Sequence, residues 1–460
     1  MFNKLANYLL IVFVFLLPWQ TRFIYNEMTI NGELWEYGKL SIYGIEAILL
    51  IVFLLRKMPQ FDLNKIKLSR SALIFLGACF ISVSFGMVSG LGLGSIIHLI
   101  FATMLFVVLI DERTQVRSLL WAFVLGLVFP CALGWYQVIT GGSPASSFFG
   151  IAVKDASELG ASVIETGGAR LLRAYGLFSH PNIFGGYLAA GILVLMYLYS
   201  VAISPLTKGG SEGGLSDTDK VVASFSLRFM RRLPPSLKLR RAGKPAATKL
   251  LFVLLTTLLP STLIITFSRS AWIGAFVGII IFIIMNWKKT VSIGWFSTSL
   301  WLCATVAVLA TALVFNGAVY TRFSAQTRLE TQSVQERISS MDLYDDVLRR
   351  NIFTGVGVGQ YTVALATVLP DKPVWDYQPI HNSFLLFFAE VGILGVMAFL
   401  IFMHTGFKAF FTSTDDRRVL GFSLVICFLF IGLFDHYLWS MWSGLVLMYF
   451  LFGILSCSKE

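Results

Sequence analysis

Three polar side chains stand beside long apolar segments, where a charge or an imidazole is unusual. Arg173 follows R-L-L, Arg269 lies in T-F-S-R-S-A-W, and His381 lies in Q-P-I-H-N-S-F-L-L. A guanidinium stays charged and can bind a phosphate through two parallel hydrogen bonds. A neutral imidazole can accept a proton. These residue types suit binding of a phosphorylated substrate and activation of a hydroxyl group.

Each arginine also has a plainer interpretation. Arg173 could extend to lipid headgroups as an interfacial arginine, and Arg269 could anchor a helix beside Trp272. A helix is predicted to begin at about Ser270, however, so its free backbone N–H groups would add to the charge of Arg269 at a phosphate site. Arg170 is a weaker second candidate, one helical turn from Arg173 if that segment is helical.

His381 is predicted to stand at the start of a membrane helix. The positive end of the helix dipole should lower its pKa and keep the imidazole neutral, and Asn382 could help to orient the ring. The alternative is a helix cap formed together with Asn382 and Ser383. Glu390, inside the same apolar segment, suits a structural partner and a site residue equally well.

Two further pairs are predicted to lie on the same side of the membrane as these residues. They are Glu336 with Arg337, and Asp435 with His436 in F-D-H-Y-L-W. Either pair could line a common cavity or cap a helix. We include Glu336 and Arg337 among the candidate substrate-binding residues.

Metal and nucleotide sites are not indicated. The acidic residues Asp342, Asp345 and Asp346 lie beside arginines, which favours an exposed ion-paired surface over a metal site. The glycine-rich G-V-G-V-G-Q-Y at 355–361 lacks a preceding strand and is interpreted as a turn. The five cysteines form no C-x-x-C pair. No metal and no cofactor are therefore predicted.

The composition places these residues in a membrane protein. Of the 460 residues, 56% are hydrophobic and only 13% are charged, with a mean hydropathy of +0.76. A membrane helix needs about 20 apolar residues, and such segments recur along the chain. The predicted fold is all-α and polytopic, with about twelve spans. They cover about 5–19, 39–55, 71–88, 92–110, 118–139, 182–203, 250–267, 271–287, 294–315, 383–406, 419–434 and 440–456.

The positive charges predict the orientation. Threading twelve spans assigns 24 of the 36 Lys and Arg residues to one side, which becomes the cytoplasmic side with both termini. Residues 204–249 form a basic, glycine-rich insert there, predicted to be disordered and either to contact anionic lipids or to be a solvated linker. This distribution explains the net charge of +11 without nucleic acid as a partner.

Two long loops are predicted on the opposite, non-cytoplasmic side, over residues 141–181 and 316–381. The second contains apolar residues at helical spacing, including Val334, Ile338 and Met341. This pattern is typical of a helix that lies along the membrane surface. All the candidate site residues flank or lie within these loops, except Arg269 in its short turn.

In these motifs the sequence resembles the O-antigen ligase and O-antigen polymerase superfamily of bacterial envelope enzymes. The resemblance covers residues 171–395 and rests on four strings in family order. They are R-A-Y-G-L-F-S-H-P-N, F-S-R-S-A-W-I-G, Q-E-R-I-S with G-V-G-V-G-Q-Y, and H-N-S-F-L with E-V-G-I-L-G.

The resemblance implies a multi-pass protein of the bacterial inner membrane that acts as a metal-independent glycosyltransferase. It would transfer a glycan from a polyprenyl-diphosphate carrier, undecaprenyl diphosphate, to an acceptor hydroxyl on a lipid or glycan at the outer face. Arg173 and Arg269 would bind the diphosphate, and His381 would be the general base. The basic insert is not part of the family pattern.

A transporter or flippase of lipid-linked sugars is the alternative, since twelve spans and outside arginines suit it too. Many transporters show two similar halves with interrupted helices. The loops in the second half of this chain do not resemble those in the first. The sequence therefore favours the transferase, without separating a ligase from a polymerase.

Overall fold

The computed structural model describes residues 2–56, 63–207, 244–287, 295–324, 327–411 and 415–457. About 71% of the chain is helical, as the apolar segments require, because a membrane helix satisfies all its backbone hydrogen bonds internally. The helices of the apolar bundle are α1 (Phe2–Phe15), α2 (Gly44–Arg56), α3 (Leu63–Ser84), α4 (Ser89–Leu109), α5 (Val116–Gly126), α6 (Val128–Thr140), α7 (Pro181–Thr207), α8 (Lys244–Ile265), α9 (Arg269–Met285), α10 (Trp295–Val314), α15 (Ser383–Phe411), α16 (Asp415–Phe434) and α18 (Trp442–Leu455).

A helix occupies each predicted span, but the count of twelve spans is not confirmed. By length and composition, seven helices among the described residues can cross a membrane, or eight if α10 is counted with its bent continuation. The helices α1, α9 and α18 are apolar but shorter, with 14, 17 and 14 residues. The prediction of a multi-pass membrane protein therefore holds at the coarser level.

The predicted second span, 39–55, is wrong at its beginning. Residues 22–43 form an antiparallel hairpin of β1 (Arg22–Ile30) and β2 (Glu33–Tyr43), and α2 begins only at Gly44. The turn at Asn31 and Gly32 has positive φ at both residues, 53° and 81°. An Asn-Gly pair between alternating strands is a strong hairpin signal, and it was present in the sequence.

The long loop at 141–181 contains short hairpins, whereas a helix had been considered around Arg170. Val163–Thr166 (β5) pairs with Ala169–Leu172 (β6), and Gly142–Ser143 (β3) pairs with Lys154–Asp155 (β4). Arg170 therefore lies on a strand, and the condition under which it would lie one helical turn from Arg173 is not met. The all-α prediction is corrected to a mostly helical fold with three two-stranded hairpins among the described residues.

The loop at 316–381 folds into short helices. The surface helix predicted from the apolar spacing is present, and Val334, Ile338 and Met341 are exposed on it at 39%, 51% and 51%. We call the side of the bundle that carries residues 141–181 and 316–381 the loop side. The helices here are α11 (Asn316–Ser324), α12 (Arg328–Asp342), α13 (Tyr344–Leu348) and α14 (Tyr361–Val368), and α17 (Tyr437–Ser440) follows α16.

Helix α15 is broken at Gly392, where φ is 62°. The glycine-rich segment 355–361 fits against this break, and Glu390 binds it by accepting hydrogen bonds from the backbone N–H groups of Gly359 (2.9 Å) and Tyr361 (3.3 Å). The indole N–H of Trp439 donates a third, at 2.7 Å. Of the two roles considered for Glu390, these bonds favour that of a structural partner. Segment 355–361 is a packed turn, as the sequence indicated.

The basic cytoplasmic insert predicted at 204–249 lies mostly outside the described residues. The described chain ends at Thr207 in α7 and begins again at Lys244 in α8. These two helices pack against each other, and α9 packs along α16. The packing brings the loop-side ends of α7, α9 and α16 together, and Arg173, Arg269 and Asp435 lie at those ends.

Candidate active site

A polar cavity of about 480 Å³ opens at the loop side of the bundle. Its walls come from segments that are distant in sequence: the β1–β2 hairpin, the loops before α7 and α15, and the turn after α16. The side chains that bear charge or an imidazole along its lining are Arg22, Glu36, Lys39, Lys154, His180, His381, Asp435 and His436.

Three imidazoles meet at this cavity. The rings of His381 and His436 lie edge to face with centroids 5.3 Å apart. Burial and, to a smaller extent, the nearby charge of Arg337 lower the pKa of His381 to about 4. Burial, His381 and Arg337 lower the pKa of His436 to about 3. Burial and Arg173 lower the pKa of His180 well below its usual value. All three are neutral at pH 7.

Of these three imidazoles, His381 is the one with no hydrogen bond on either nitrogen among the described residues. His436 bonds through Nδ1 to the Ser440 hydroxyl at 2.7 Å, and His180 contacts Ser162 and the backbone N–H of Asn182. Within the described residues, neither nitrogen of His381 has a hydrogen-bond partner. The low pKa expected from a helix dipole is present, but burial and Arg337 cause it. His381 can therefore accept a proton from a molecule in the cavity.

Arg173 is buried behind the cavity wall, with 6% of its surface exposed. Its Nε donates to the carbonyl of Thr266 (2.8 Å) and its Nη2 to the side chain of Asn182 (2.6 Å). Asn182 in turn donates to Asp435 at 2.7 Å, and the Ser270 hydroxyl donates to the other oxygen of that carboxylate. This chain of bonds joins the starts of α7 and α9 to the end of α16.

Local backbone contacts fix Arg173 in this position. The buried amide of Gln137, on α6, accepts from the N–H groups of Tyr175 and Gly176, each at 2.9 Å, and donates to the carbonyl of Gly176 at 3.0 Å. The N–H of Ala174 donates to the carbonyl of Ile265 on α8. The segment after β6 is therefore held to two helices, and Arg173 has little freedom to leave.

Arg269 belongs to a second group, centred on a carboxylate that the sequence did not single out. Glu330, on α12, is 3% exposed and pairs with both Arg322 and Arg269, the latter at 3.3 Å. Arg322, on α11, also donates from Nε to the carbonyl of Phe267 at 2.9 Å. Glu330 thus ties the surface helix α12 to the start of α9.

Arg337 is a further cation beside these groups. It lies on α12, two turns after Glu330, and its charge interacts with Asp435, Arg269 and Glu330. Its Nε is buried and has no hydrogen-bond partner in the part of the chain that the structure describes. Burial lowers the pKa of Arg337, although the group stays charged at pH 7. We call Arg173, Arg269, Arg322 and Arg337 the arginine cluster.

The remaining predicted site residues lie apart from this cluster. Arg170 donates to the backbone carbonyls of Ser157 (2.8 Å) and Glu158 (3.4 Å). Glu336 is exposed and accepts a bond from Gln332 in its own helix at 2.8 Å. Asn382 caps α15 by accepting the N–H groups of Phe384 and Leu385, each at 3.0 Å. The side chain of Asn382 is thus engaged as a cap and does not bond to His381.

Among the described residues, no three His, Cys, Asp or Glu side chains are grouped closely enough to hold a metal ion. The predicted acidic group on α12 and α13 accordingly forms no such cluster. The polar centre of the protein is instead an excess of guanidinium charge beside a neutral imidazole. Four arginines face two carboxylates, Glu330 and Asp435.

This arrangement defines a multi-pass membrane protein with a cationic, histidine-containing cavity between its loops. Residues 251–400 match the model of the O-antigen ligase family. The match confirms the resemblance to the O-antigen ligase and polymerase superfamily over this segment of the chain. Comparison with curated proteins found no match. The matched segment includes Arg269, Arg322, Glu330, Arg337 and His381, whereas Arg173 and Asp435 lie outside it.

Proposed function

We propose that this protein transfers a glycan from a polyprenyl-diphosphate carrier to an acceptor hydroxyl, at the outer face of the bacterial inner membrane. The observation that carries the proposal is the arginine cluster beside the unbonded, neutral imidazole of His381. The cluster suits a diphosphate, and the imidazole suits the proton of an attacking hydroxyl. In the twelve-span arrangement most basic residues lie on the membrane side opposite the long loops, together with both termini, which supports cytoplasmic termini.

The donor diphosphate would bind at the arginine cluster. Arg337 and Arg269 contribute to the cluster from α12 and α9, and the Nη1 of Arg173 makes no hydrogen bond to the described residues. A diphosphate ester carries about two negative charges, which balances the excess of four guanidinium groups over two carboxylates. Buried cations are costly without a counter-ion, so this site favours an anionic ligand.

An apolar groove of about 360 Å³ provides a place for the lipid part of the donor. It runs between α15, α16 and α18 and begins at Ser383 and Trp439, next to the cavity. The Ser383 hydroxyl, which lines the groove, donates to the backbone carbonyl of Asp435 at 2.6 Å, and Asp435 lines the polar cavity, so the groove and the cavity are adjacent. A polyprenyl chain is apolar and would be stabilised along such a groove by the hydrophobic effect.

The reaction then follows from the positions of these groups. The acceptor oxygen attacks the anomeric carbon, its proton passes to a nitrogen of His381, and the bond from carbon to the diphosphate oxygen breaks. The diphosphate leaves with the bonding electron pair, and its growing charge is stabilised by guanidinium groups that are already oriented. The protonated His381 returns its proton to solvent in the open cavity.

Replacing Arg337 by glutamine tests the donor site. Loss of charge-assisted hydrogen bonds should weaken binding of the polyprenyl-diphosphate glycan by about 10- to 100-fold. Binding to purified protein in lipid nanodiscs can be titrated without turnover. Arg328→Gln is the matched control, because Arg328 lies on the same helix with its side chain 73% exposed. An unchanged dissociation constant for Arg337→Gln would remove Arg337 from the donor site.

A further inference from the structure

The β1–β2 hairpin brings a second set of charges into the cavity. Glu36 accepts a hydrogen bond from Arg22 at 2.6 Å and from Lys39 at 2.7 Å, so one carboxylate is shared by two cations. The side chains of Arg22 and Lys39 are 29% and 27% exposed and line the cavity. We call Arg22, Glu36 and Lys39 the hairpin triad. It has one positive charge in excess.

Lys154 adds another cation to the cavity lining from strand β4. Its ammonium lies over the ring of Tyr175, 5.3 Å from the ring centroid. Within the described residues it has no salt-bridge partner. The adjoining lining residues Gln378 and Ser143 are polar and uncharged. The cavity therefore has a cationic lining that is contributed by segments outside the arginine cluster.

The hairpin that carries these cations is in contact with the histidines of the cavity. Tyr37, next to Glu36 on β2, packs edge to face on His436 with ring centroids 6.1 Å apart, and His436 packs on His381. Arg337 of the arginine cluster is the cation whose charge acts on both imidazoles. His381 therefore interacts with the charge of Arg337 on α12, and it is linked to the hairpin by ring packing through His436.

We propose that the hairpin triad and Lys154 form the acceptor subsite, and that they select an acceptor glycan carrying an anionic group, a phosphate or a carboxylate. The inference rests on the proposed glycan transfer and deepens it. The arginine cluster holds the donor diphosphate, so the hydroxyl that attacks must come from another part of the cavity. The excess cations of this lining bind an anion there, and Glu36 keeps the two hairpin cations oriented while the subsite is empty.

Acceptor kinetics with the full-length protein test this subsite. The probes are the acceptor glycan fraction of the source organism, the same fraction with its carboxylates reduced, and the same fraction with its phosphates removed. With wild type, one of the two treatments should raise the acceptor KM by roughly tenfold or more, which also identifies the anion. The Arg22→Gln, Lys39→Gln double variant should use treated and untreated acceptor equally, with unchanged donor affinity.

Glu36→Gln separates recognition from a structural role. If the triad only braces the hairpin, loss of Glu36 should lower activity on every acceptor. At an anion subsite Glu36 competes with the ligand, so Glu36→Gln should lower the KM for the untreated acceptor severalfold and leave the neutral one unchanged.

Three results would overturn the inference: wild type indifferent to both treatments, a double variant that discriminates as wild type does, or a Glu36→Gln variant with lower activity on every acceptor. None of them bears on the proposed transfer itself, which would fail instead if wild type glycosylated no acceptor, treated or untreated.

Discussion

Replacing His381 by alanine should lower turnover by roughly two to four orders of magnitude and leave donor affinity nearly unchanged. The imidazole lines the cavity, stays neutral, and has no hydrogen-bond partner among the described residues, so its removal deprives the attacking hydroxyl of a proton acceptor. The arginine cluster does not depend on it for any bond. The measurement is single-turnover transfer at saturating donor, together with a donor titration.

His404→Ala is the matched control, because His404 is an exposed histidine in the same helix, α15. It should behave as wild type. Near-normal turnover of His381→Ala would show that His381 only lines the cavity and takes no part in the chemistry. A defect confined to donor affinity would make it another diphosphate contact rather than the base.

The pH dependence of wild type follows from the same imidazole. The free enzyme should keep its kcat/KM on acidification through pH 6.5 and lose half of it only near pH 4, where His381 becomes protonated. An ordinary histidine would lose half at about pH 6.5. In the donor complex the negative diphosphate favours the imidazolium, so the midpoint in kcat should lie higher than that in kcat/KM. Turnover should also survive EDTA.

Arg173→Lys should lose most of the activity although it conserves the charge. The guanidinium donates in two directions at once, to Thr266 and to Asn182, and still offers Nη1 to a ligand. An ammonium on a flexible stem cannot reproduce this planar arrangement. Asn182 and Asp435 would lose their alignment, and we expect turnover to fall by about 100-fold or more.

Arg269→Lys should act in the same direction but more weakly, because Arg269 is 24% exposed and its contact with Glu330 is a looser one, at 3.3 Å. Arg328→Lys serves as the surface control for both. Protein levels must be matched, since Arg173 also joins α7 to α16. Full activity in both lysine variants at normal levels would contradict a role for planar guanidinium groups at the diphosphate.

The helices could be predicted from the sequence because backbone groups in lipid find hydrogen-bond partners only within a helix. A helix that spans the lipid needs about 20 apolar residues, and such segments are visible in the sequence. The hairpin at 22–43 was missed for a physical reason. Its second strand runs into the apolar segment of α2, so hydropathy alone extended the span to residue 39. The Asn31-Gly32 turn was the signal that could have corrected this.

Single arginines and His381 stood out because they interrupt apolar segments. Glu330 and Arg322 did not, because both lie in a polar loop where charges are ordinary, and only the tertiary fold brings them against Arg269. Arg337 was selected as one member of a pair with Glu336. The fold separates the two by directing Arg337 toward Asp435 and leaving Glu336 in solvent.

The most direct measurement is product analysis with the purified protein in proteoliposomes. The donor carries one label on its polyprenyl diphosphate and another on its glycan, and it is supplied with acceptor on the side that carries the loops. Transfer predicts that the glycan label moves onto the acceptor while polyprenyl diphosphate is released in equal amount, and that both stop in His381→Ala. Movement of intact donor between the two leaflets, with both labels still joined and no glycosylated acceptor, would contradict the account and favour a flippase.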